Sequence, residues 1–195
     1  MDYNDISQRL KKTLTSLNGR YDDDIAVYVT HKLENDTEEI TFKVGNLDEE
    51  EMINKIFIIF YNLASLKDNI KNCLEKKGLD KNLIEIEINN SLHLQVLIDI
   101  VNQEKHGYPL KKTNRSGKNP LIKNIFEVVN LQTSTTGSVA SLNLNQNEIN
   151  LQGNARMAIR ATIYDDKNNV LFGLDELITN CFERLEKFIK KHNCS

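Results

Sequence analysis

The chain lacks the cysteine patterns that build disulfide frameworks and structural zinc sites. It has three cysteines, Cys73, Cys181 and Cys194, and none of them belongs to a Cys-x-x-Cys pair. An odd number of widely spaced cysteines argues against both kinds of site. Because Cys194 is next to the last residue, we expect it to be a frayed, exposed thiol.

Long apolar runs are also missing. The longest run, at 56–61, is far shorter than the roughly 20 residues that a membrane-spanning helix needs. Residues 1–5 are acidic and polar, which is unlike the basic and apolar start of a signal peptide. The sequence therefore predicts a cytoplasmic protein without a membrane partner.

Common catalytic motifs are absent as well. Gly117-Lys118 is followed by Asn119 and lacks the upstream glycine of a P-loop. The chain has no Gly-x-Gly-x-x-Gly, no Gly-x-Ser-x-Gly and no His-Glu-x-x-His, and its four histidines lack metal-ligand spacing. The sequence thus predicts no metal and no cofactor, and it leaves open whether the protein is an enzyme.

What the chain does have is an ordinary globular composition. Of its 195 residues 39% are hydrophobic and 27% are charged, which predicts one compact domain over 1–195. The 25 basic and 28 acidic residues give a net charge of −3. Because this net charge attracts neither nucleic acid nor anionic lipid, such a partner would have to be drawn by a local basic patch.

The apolar periodicity predicts an α+β fold with a packed pair of long helices, an antiparallel β-meander and hairpin, and a C-terminal helix. In chain order we expect a helix at 3–18, hairpin strands at 24–31 and 39–44, a helical core at about 48–107, a basic loop at 107–124, a β-meander at 125–172 and a C-terminal helix at 174–192. Residues 83–90 alternate between apolar and polar side chains, so a strand and a first helical turn are both open there.

A polar cluster ends the second long helix. Asp99, Asn102 and His106 are spaced three and four residues apart, which places them on one helical face. His106, in the last turn, could act as a general base or bind an anion. The interpretation that we favour is a helix-end cluster in which Lys105 and His106 cover free carbonyls before Gly107.

The stretch after this cluster is strongly basic. No acidic residue occurs between Glu104 and Glu127. Its candidates for anion binding are Lys105, Lys111, Lys112, Arg115 and Lys118. Residues 114–119 could form a loop that contacts phosphate, and the alternative is a solvated, mobile basic loop.

Asp68 is a further candidate, on the polar side of the first long helix. If the two long helices are antiparallel, its carboxylate could reach the second helix. The ordinary interpretation is an ion pair between the helices or a surface residue.

Two segments carry a resemblance to known proteins. Residues 60–70 contain Leu66-Lys67-Asp68 after an aromatic pair, and residues 97–106 contain Asp99-x-x-Asn102-x-x-Lys105-His106. As a pair they resemble a loosely defined set of uncharacterised bacterial proteins whose helical pair is similar to the HEPN superfamily. Many HEPN proteins are RNases of toxin–antitoxin and phage-defence systems, so the resemblance implies RNA as a target.

The chain departs from the HEPN nuclease pattern, in which arginine and histidine are separated by four to six residues. Arg184 and His192 come closest, with seven residues between them. We therefore predict an intracellular bacterial binding or interaction module without catalytic activity, which binds a protein partner or its own copies. The alternative is a nucleic-acid-directed protein or divergent RNase of a defence or toxin–antitoxin system, with His106 as acid or base.

Overall fold

The computed structural model describes residues 27–34, 37–44, 48–110, 114–133, 139–143, 148–152 and 156–194. The described helices are α1 (Glu49–Lys76), α2 (Leu83–Asn89), α3 (Leu92–His106) and α4 (Leu174–Lys191). The described strands are β1 (Val27–Glu34), β2 (Thr37–Val44), β3 (Leu121–Thr133), β4 (Val139–Asn143), β5 (Glu148–Gln152), β6 (Arg156–Tyr164) and β7 (Val170–Gly173). The predicted α+β class with a C-terminal helix is confirmed, whereas the helix predicted at 3–18 lies outside the described residues.

Two compact units divide the chain. The described part of the first unit comprises 56–110, 114–123 and 162–194, and the second unit contains the rest, beginning with β1 and ending within β6. The prediction of a single domain over 1–195 stays a prediction.

Strand pairing in the second unit begins with the predicted hairpin. β1 and β2 are antiparallel, with Val27 opposite Val44 and Glu34 opposite Thr37. β2 also pairs with β3, again in antiparallel orientation. β4 and β5 pair only with each other, as a two-stranded sheet, so the stretch predicted as a meander is interrupted by a separate hairpin. Short strands joined by a few residues readily pair in this way.

The first unit contains β7, residues 121–123 of β3 and residues 162–164 of β6, together with most of the helical structure. In the sheet, β6 lies between β3 and β7. Its helices bury one apolar face each, as the periodicity predicts. Side chains that are almost completely buried include Phe60, Leu63 and Ile70 of α1, Ile84 and Ile88 of α2, Leu94 and Leu97 of α3, and Leu177, Cys181 and Leu185 of α4.

Residues 83–89 are helical rather than extended. In α2 the side chains of Ile84 and Ile88, four residues apart, are buried, while Ile86 is 53% exposed. A strand would have put all three on one face. The helical turn instead directs Glu85 and Glu87 away from the buried Ile84 and Ile88, and both glutamates form ion pairs.

Helix α3 begins and ends with recognisable signals. The hydroxyl of Ser91 accepts a hydrogen bond from the N–H of Leu94 at 3.4 Å, as an N-cap does. Gly107, with φ of 85°, ends the helix and donates its N–H to the carbonyl of Gln103 at 2.7 Å. His106 is therefore the last helical residue.

The cysteine expectations were wrong for two of the three residues. Cys194 is 1% exposed and forms a disulfide with Cys73 of α1, with Cα atoms 6.0 Å apart. The chain turns back after α4 because Asn193 has φ of 49° and the N–H of Cys194 bonds to the carbonyl of Ile189 at 2.9 Å. Sequence spacing does not reveal this pair, because the pairing depends on where the ends of α1 and α4 meet.

None of the described helices combines the length and the apolar composition needed to cross a membrane.

Candidate functional site

A cleft of about 400 Å³ lies between α1 and α3 in the first unit, and we call it the α1–α3 cleft. Of the candidates from the sequence, the cleft brings together Asp68, Asn102, Lys105 and Arg115. Tyr61, Asn62 and Lys67 also line it from α1. Asp68 thus lines the same cleft as Asn102 of the second long helix, whereas His106 does not line it.

The carboxylate of Asp99 fixes the loop that carries Arg115. One oxygen accepts the N–H of Arg115 at 2.8 Å, and the other accepts the N–H and the hydroxyl of Ser116 at 2.8 and 2.6 Å. Asp99 is completely buried. A buried carboxylate is tolerated when its oxygens are hydrogen-bonded in this way, so these bonds hold the loop against α3.

We call residues 114–119 the Arg-Ser loop, and two further backbone donors of it bond to side chains within the loop. Asn114 Oδ1 accepts the N–H of Gly117 at 2.8 Å, and the hydroxyl of Ser116 accepts the N–H of Lys118 at 3.2 Å. With the two bonds to Asp99, all four N–H groups of 115–118 have partners. The carboxylate of Asp99 thus occupies the place that a bound anion would take in such a loop. An external anion would have to meet side chains instead.

The far side of the Arg-Ser loop is tied to the turn between β6 and β7. The carbonyl of Lys118 accepts the N–H of Asp166 at 3.1 Å, and the side-chain amide of Asn119 donates to the carboxylate of Asp166 at 3.1 Å. The turn is itself closed by Asp165, whose pKa is lowered by hydrogen bonds from the side chain and the N–H of Asn169. Lys118 thus belongs to a loop that is fixed on both sides.

Glu85 of α2 gathers three cations beside the cleft. Its carboxylate accepts hydrogen bonds from Arg115 Nη1 at 2.7 Å and Lys71 Nζ at 2.5 Å, and Lys67 Nζ lies 3.6 Å away. Burial alone would raise the pKa of Glu85, but the hydrogen bonds from Lys71 and Arg115 and the charges of Arg115 and Lys67 hold it at about 2. The carboxylate is therefore ionised at neutral pH and orients Arg115.

The cleft lining is positively charged. Lys67, Lys105 and Arg115 line it together with one carboxylate, Asp68, so cations exceed acids by three to one. Lys105 Nζ lies 5.2 Å from the centroid of the Tyr61 ring, in a cation–π contact that positions this side chain at the cleft.

His106 is not part of this arrangement. It is exposed at the end of α3 and does not line the α1–α3 cleft. Lys118 also lies outside the cleft lining, and Lys111 and Lys112 lie outside the described residues. The roles predicted for these four side chains stay predictions.

The arginine and histidine that came closest to a nuclease motif have different neighbours. Arg184 Nε donates to Glu87 Oε1 at 2.6 Å, whereas the ring of His192 packs against Phe188 at 4.4 Å between centroids. The RNase alternative therefore gains no paired arginine and histidine from these two residues.

The roles of two important side chains were missed: Asp99 was placed in the polar cluster of the second long helix without a role, and Glu85 was not considered. Asp99 had a usable signal, because a carboxylate inside the apolar run from Leu97 to Val101 needs a buried partner. Glu85 had none, since its partners lie 14 and 30 residues away along the chain.

Comparisons with protein-family models, with curated proteins and with solved structures found no match for this chain. The resemblance to HEPN proteins stays a prediction based on residues 60–70 and 97–106.

Proposed function

We propose that this protein is a non-catalytic binding module that takes the acidic side chains of a protein partner into the α1–α3 cleft. The observation that supports it best is the cationic lining, in which Lys67, Lys105 and Arg115 surround a space of about 400 Å³. Volumes of this order are typical of sites that enclose a small group.

The chemistry of the lining suits a carboxylate. A guanidinium presents several N–H donors in a planar fork, and Arg115 uses one nitrogen, Nη1, for Glu85. The carboxamides of Asn62 and Asn102 can donate to the same ligand group. Together these donors supply both charge and direction to an incoming acidic side chain.

The site also needs little ordering before it binds. Asp99 holds the backbone of Arg115, and Glu85 holds its guanidinium. Binding to side chains that are already fixed loses less conformational entropy than binding to mobile ones. A loop that is held by such bonds is more consistent with ligand recognition than with a basic segment that is only solvated.

A binding role accounts for the composition of the cleft better than catalysis. Among the described residues that line it, none is a histidine or a cysteine, and His106 lies outside. General acid–base catalysis most often uses histidine, and nucleophilic catalysis needs an activated group beside a base.

The experiment compares two labelled probes by fluorescence anisotropy, a peptide of six glutamates and a single-stranded RNA of ten uridines, at low and high salt. Lys105→Gln and Lys67→Gln remove charge from the cleft. Lys118→Gln and His106→Ala are the controls, because both residues lie in or next to the basic stretch but outside the cleft lining.

We expect the acidic peptide to bind, and each cleft substitution to weaken it about fivefold, which corresponds to about 1 kcal/mol for a partly exposed charge pair. The controls should leave binding unchanged. Peptide binding that is absent at low salt, or that responds equally to Lys118→Gln, contradicts the proposal. Tight RNA binding that His106→Ala abolishes would support the nuclease alternative instead.

A further inference from the structure

A second cavity, of about 420 Å³, lies in the first unit among α2, the start of α3 and α4. We call it the α4 cavity. None of its lining residues belongs to the α1–α3 cleft, and the proposed function makes no use of it. It therefore calls for an explanation of its own.

The cations of this cavity form one row. Arg184, Lys187 and Lys191 are spaced three and four residues apart on α4 and all line the cavity. Lys190, which lies between them in sequence, pairs instead with Glu186 at 2.9 Å and does not line the cavity. The row therefore belongs to one face of the helix.

Most of this positive charge is available to a ligand. Arg184 uses Nε for its bond to Glu87, which leaves the other nitrogens of the guanidinium. Lys187 and Lys191 have no ion pair or hydrogen-bond partner among the described residues. With Arg184 neutralised by Glu87, the two lysines outweigh the one remaining acid of the lining, Glu183.

The spacing of the row indicates the kind of anion. Seven residues of helix separate Arg184 from Lys191, a rise of about 10 Å at roughly 1.5 Å per residue. A single carboxylate is too small to meet charges spread over that length. An anion with several charges along a short chain can meet all three.

The other walls include aromatic rings that an organic part of a ligand could contact. Phe188 lines the cavity, and the ring of His93 is fixed by stacking on Phe172, with centroids 4.2 Å apart. The buried Nε2 of His93 has no hydrogen-bond partner and lies 3.6 Å from a carboxylate oxygen of Glu176.

We infer that the α4 cavity is a binding site for a diphosphate group, held by Arg184, Lys187 and Lys191. The group belongs either to free pyrophosphate or to a nucleoside diphosphate. An ordinary alternative is that the basic residues only complement the dipole at the end of α4, which requires no ligand.

Calorimetric titration of the full chain with inorganic phosphate, pyrophosphate and adenosine diphosphate tests the inference. Pyrophosphate should bind at least tenfold more tightly than phosphate. Lys187→Gln and Lys191→Gln should each weaken pyrophosphate binding about tenfold, while Lys190→Gln, outside the cavity lining, leaves it unchanged. Adenosine diphosphate binding more tightly than pyrophosphate identifies the nucleotide as the source, and the reverse order identifies the free ion.

A gain of affinity provides a test that misfolding cannot imitate. Glu183→Gln removes the remaining acid of the lining and should tighten pyrophosphate several-fold, whereas Glu186→Gln, outside the cavity, should not. Pyrophosphate binding that is absent in the millimolar range, or unaffected by Lys187→Gln, overturns the inference. Loss of binding in Lys105→Gln but not in Lys187→Gln would place the anion in the α1–α3 cleft and also overturns it.

Discussion

The buried carboxylate of Asp99 accepts a hydrogen bond from the hydroxyl of Ser116 at 2.6 Å. This bond joins the middle of α3 to a loop 17 residues further along the chain. The same carboxylate binds the N–H groups of Arg115 and Ser116. These bonds fix the position of the backbone from which the Arg115 side chain extends. Asp99 is consequently a positioning residue for the α1–α3 cleft, although it does not line it.

Asp99→Asn should destabilise the protein and loosen the Arg-Ser loop. The amide nitrogen cannot accept the N–H groups that the carboxylate oxygens accept, so we expect the free energy of unfolding to fall by about 2–4 kcal/mol. Urea denaturation followed by circular dichroism measures the change. Ser116→Ala removes one of the three bonds to Asp99 and also the bond from the N–H of Lys118, and should cost about 1–2 kcal/mol. Equal stability of wild type and Asp99→Asn would refute this role.

Glu85 should make stability depend on pH in the acid range. Its folded pKa of about 2 lies below the ordinary value of 4.5, so the ionised form is favoured by folding. The stabilisation is complete above about pH 4.5 and is lost progressively as the pH falls toward 2. Glu85→Gln should make the free energy of unfolding less dependent on pH over this interval. Glu75→Gln, an exposed acid in the 3.7 Å pair with Lys81, is the matched control and should not.

Although Glu85→Gln removes a stabilising charge from the folded protein, it should strengthen the binding of an acidic ligand. In Glu85→Gln the amide oxygen can still accept Arg115, but the negative charge that competes with an acidic ligand is gone. We expect the six-glutamate peptide to bind about three- to fivefold more tightly, a gain of about 1 kcal/mol. Anisotropy at low salt provides the measurement. Weaker binding by this variant would mean that the charge of Glu85 is needed to hold Arg115 in place.

The cysteines should react in a defined order. Burial raises the pKa of the Cys181 thiol to about 12, and Cys73 and Cys194 are bonded to each other. We expect no thiol to react with a thiol reagent in the native, unreduced protein, one to react after unfolding without reduction, and all three after unfolding with reduction.

Reduction should also lower stability, because the bond joins residues 121 positions apart. A disulfide of this kind contributes about 2–4 kcal/mol to the free energy of unfolding. Cys194→Ser should reproduce the loss, and Cys181→Ala should keep its sensitivity to reduction. Three reactive thiols in the unfolded, unreduced protein would show that the pair is not bonded.

Much of the helical structure follows from the sequence alone. The starts of α1 and α4 were predicted to within a residue, and so was the end of α4. Periodic burial over 15 or more residues leaves a pattern in the sequence itself, and acids or N-cap residues mark the helix starts. The short helix α2 could not be assigned, since seven residues are compatible with either period.

The candidate site was predicted only in part. Local composition marked Asp68, Asn102, Lys105 and Arg115, and these line one cleft. His106 has the same helical periodicity as Asn102 but lies beyond the cleft, because one further helical turn carries it to the exposed end of α3. A pattern on one helix indicates a face, but it does not indicate how far the neighbouring element extends.

What the sequence determined by itself is therefore the type of its long elements and the position of its basic stretch, since both depend on residues that are close along the chain. The tertiary structure alone decided which charges are neutralised. It paired Glu85 with Arg115, bonded Asp99 to the hydroxyl of Ser116, and joined Cys194 to Cys73 by a disulfide. The partners are separated by 17 to 121 residues along the chain. Hydrogen bonds, ion pairs and disulfides act over a few ångströms in space, so contacts between distant residues leave no periodic signal in the chain.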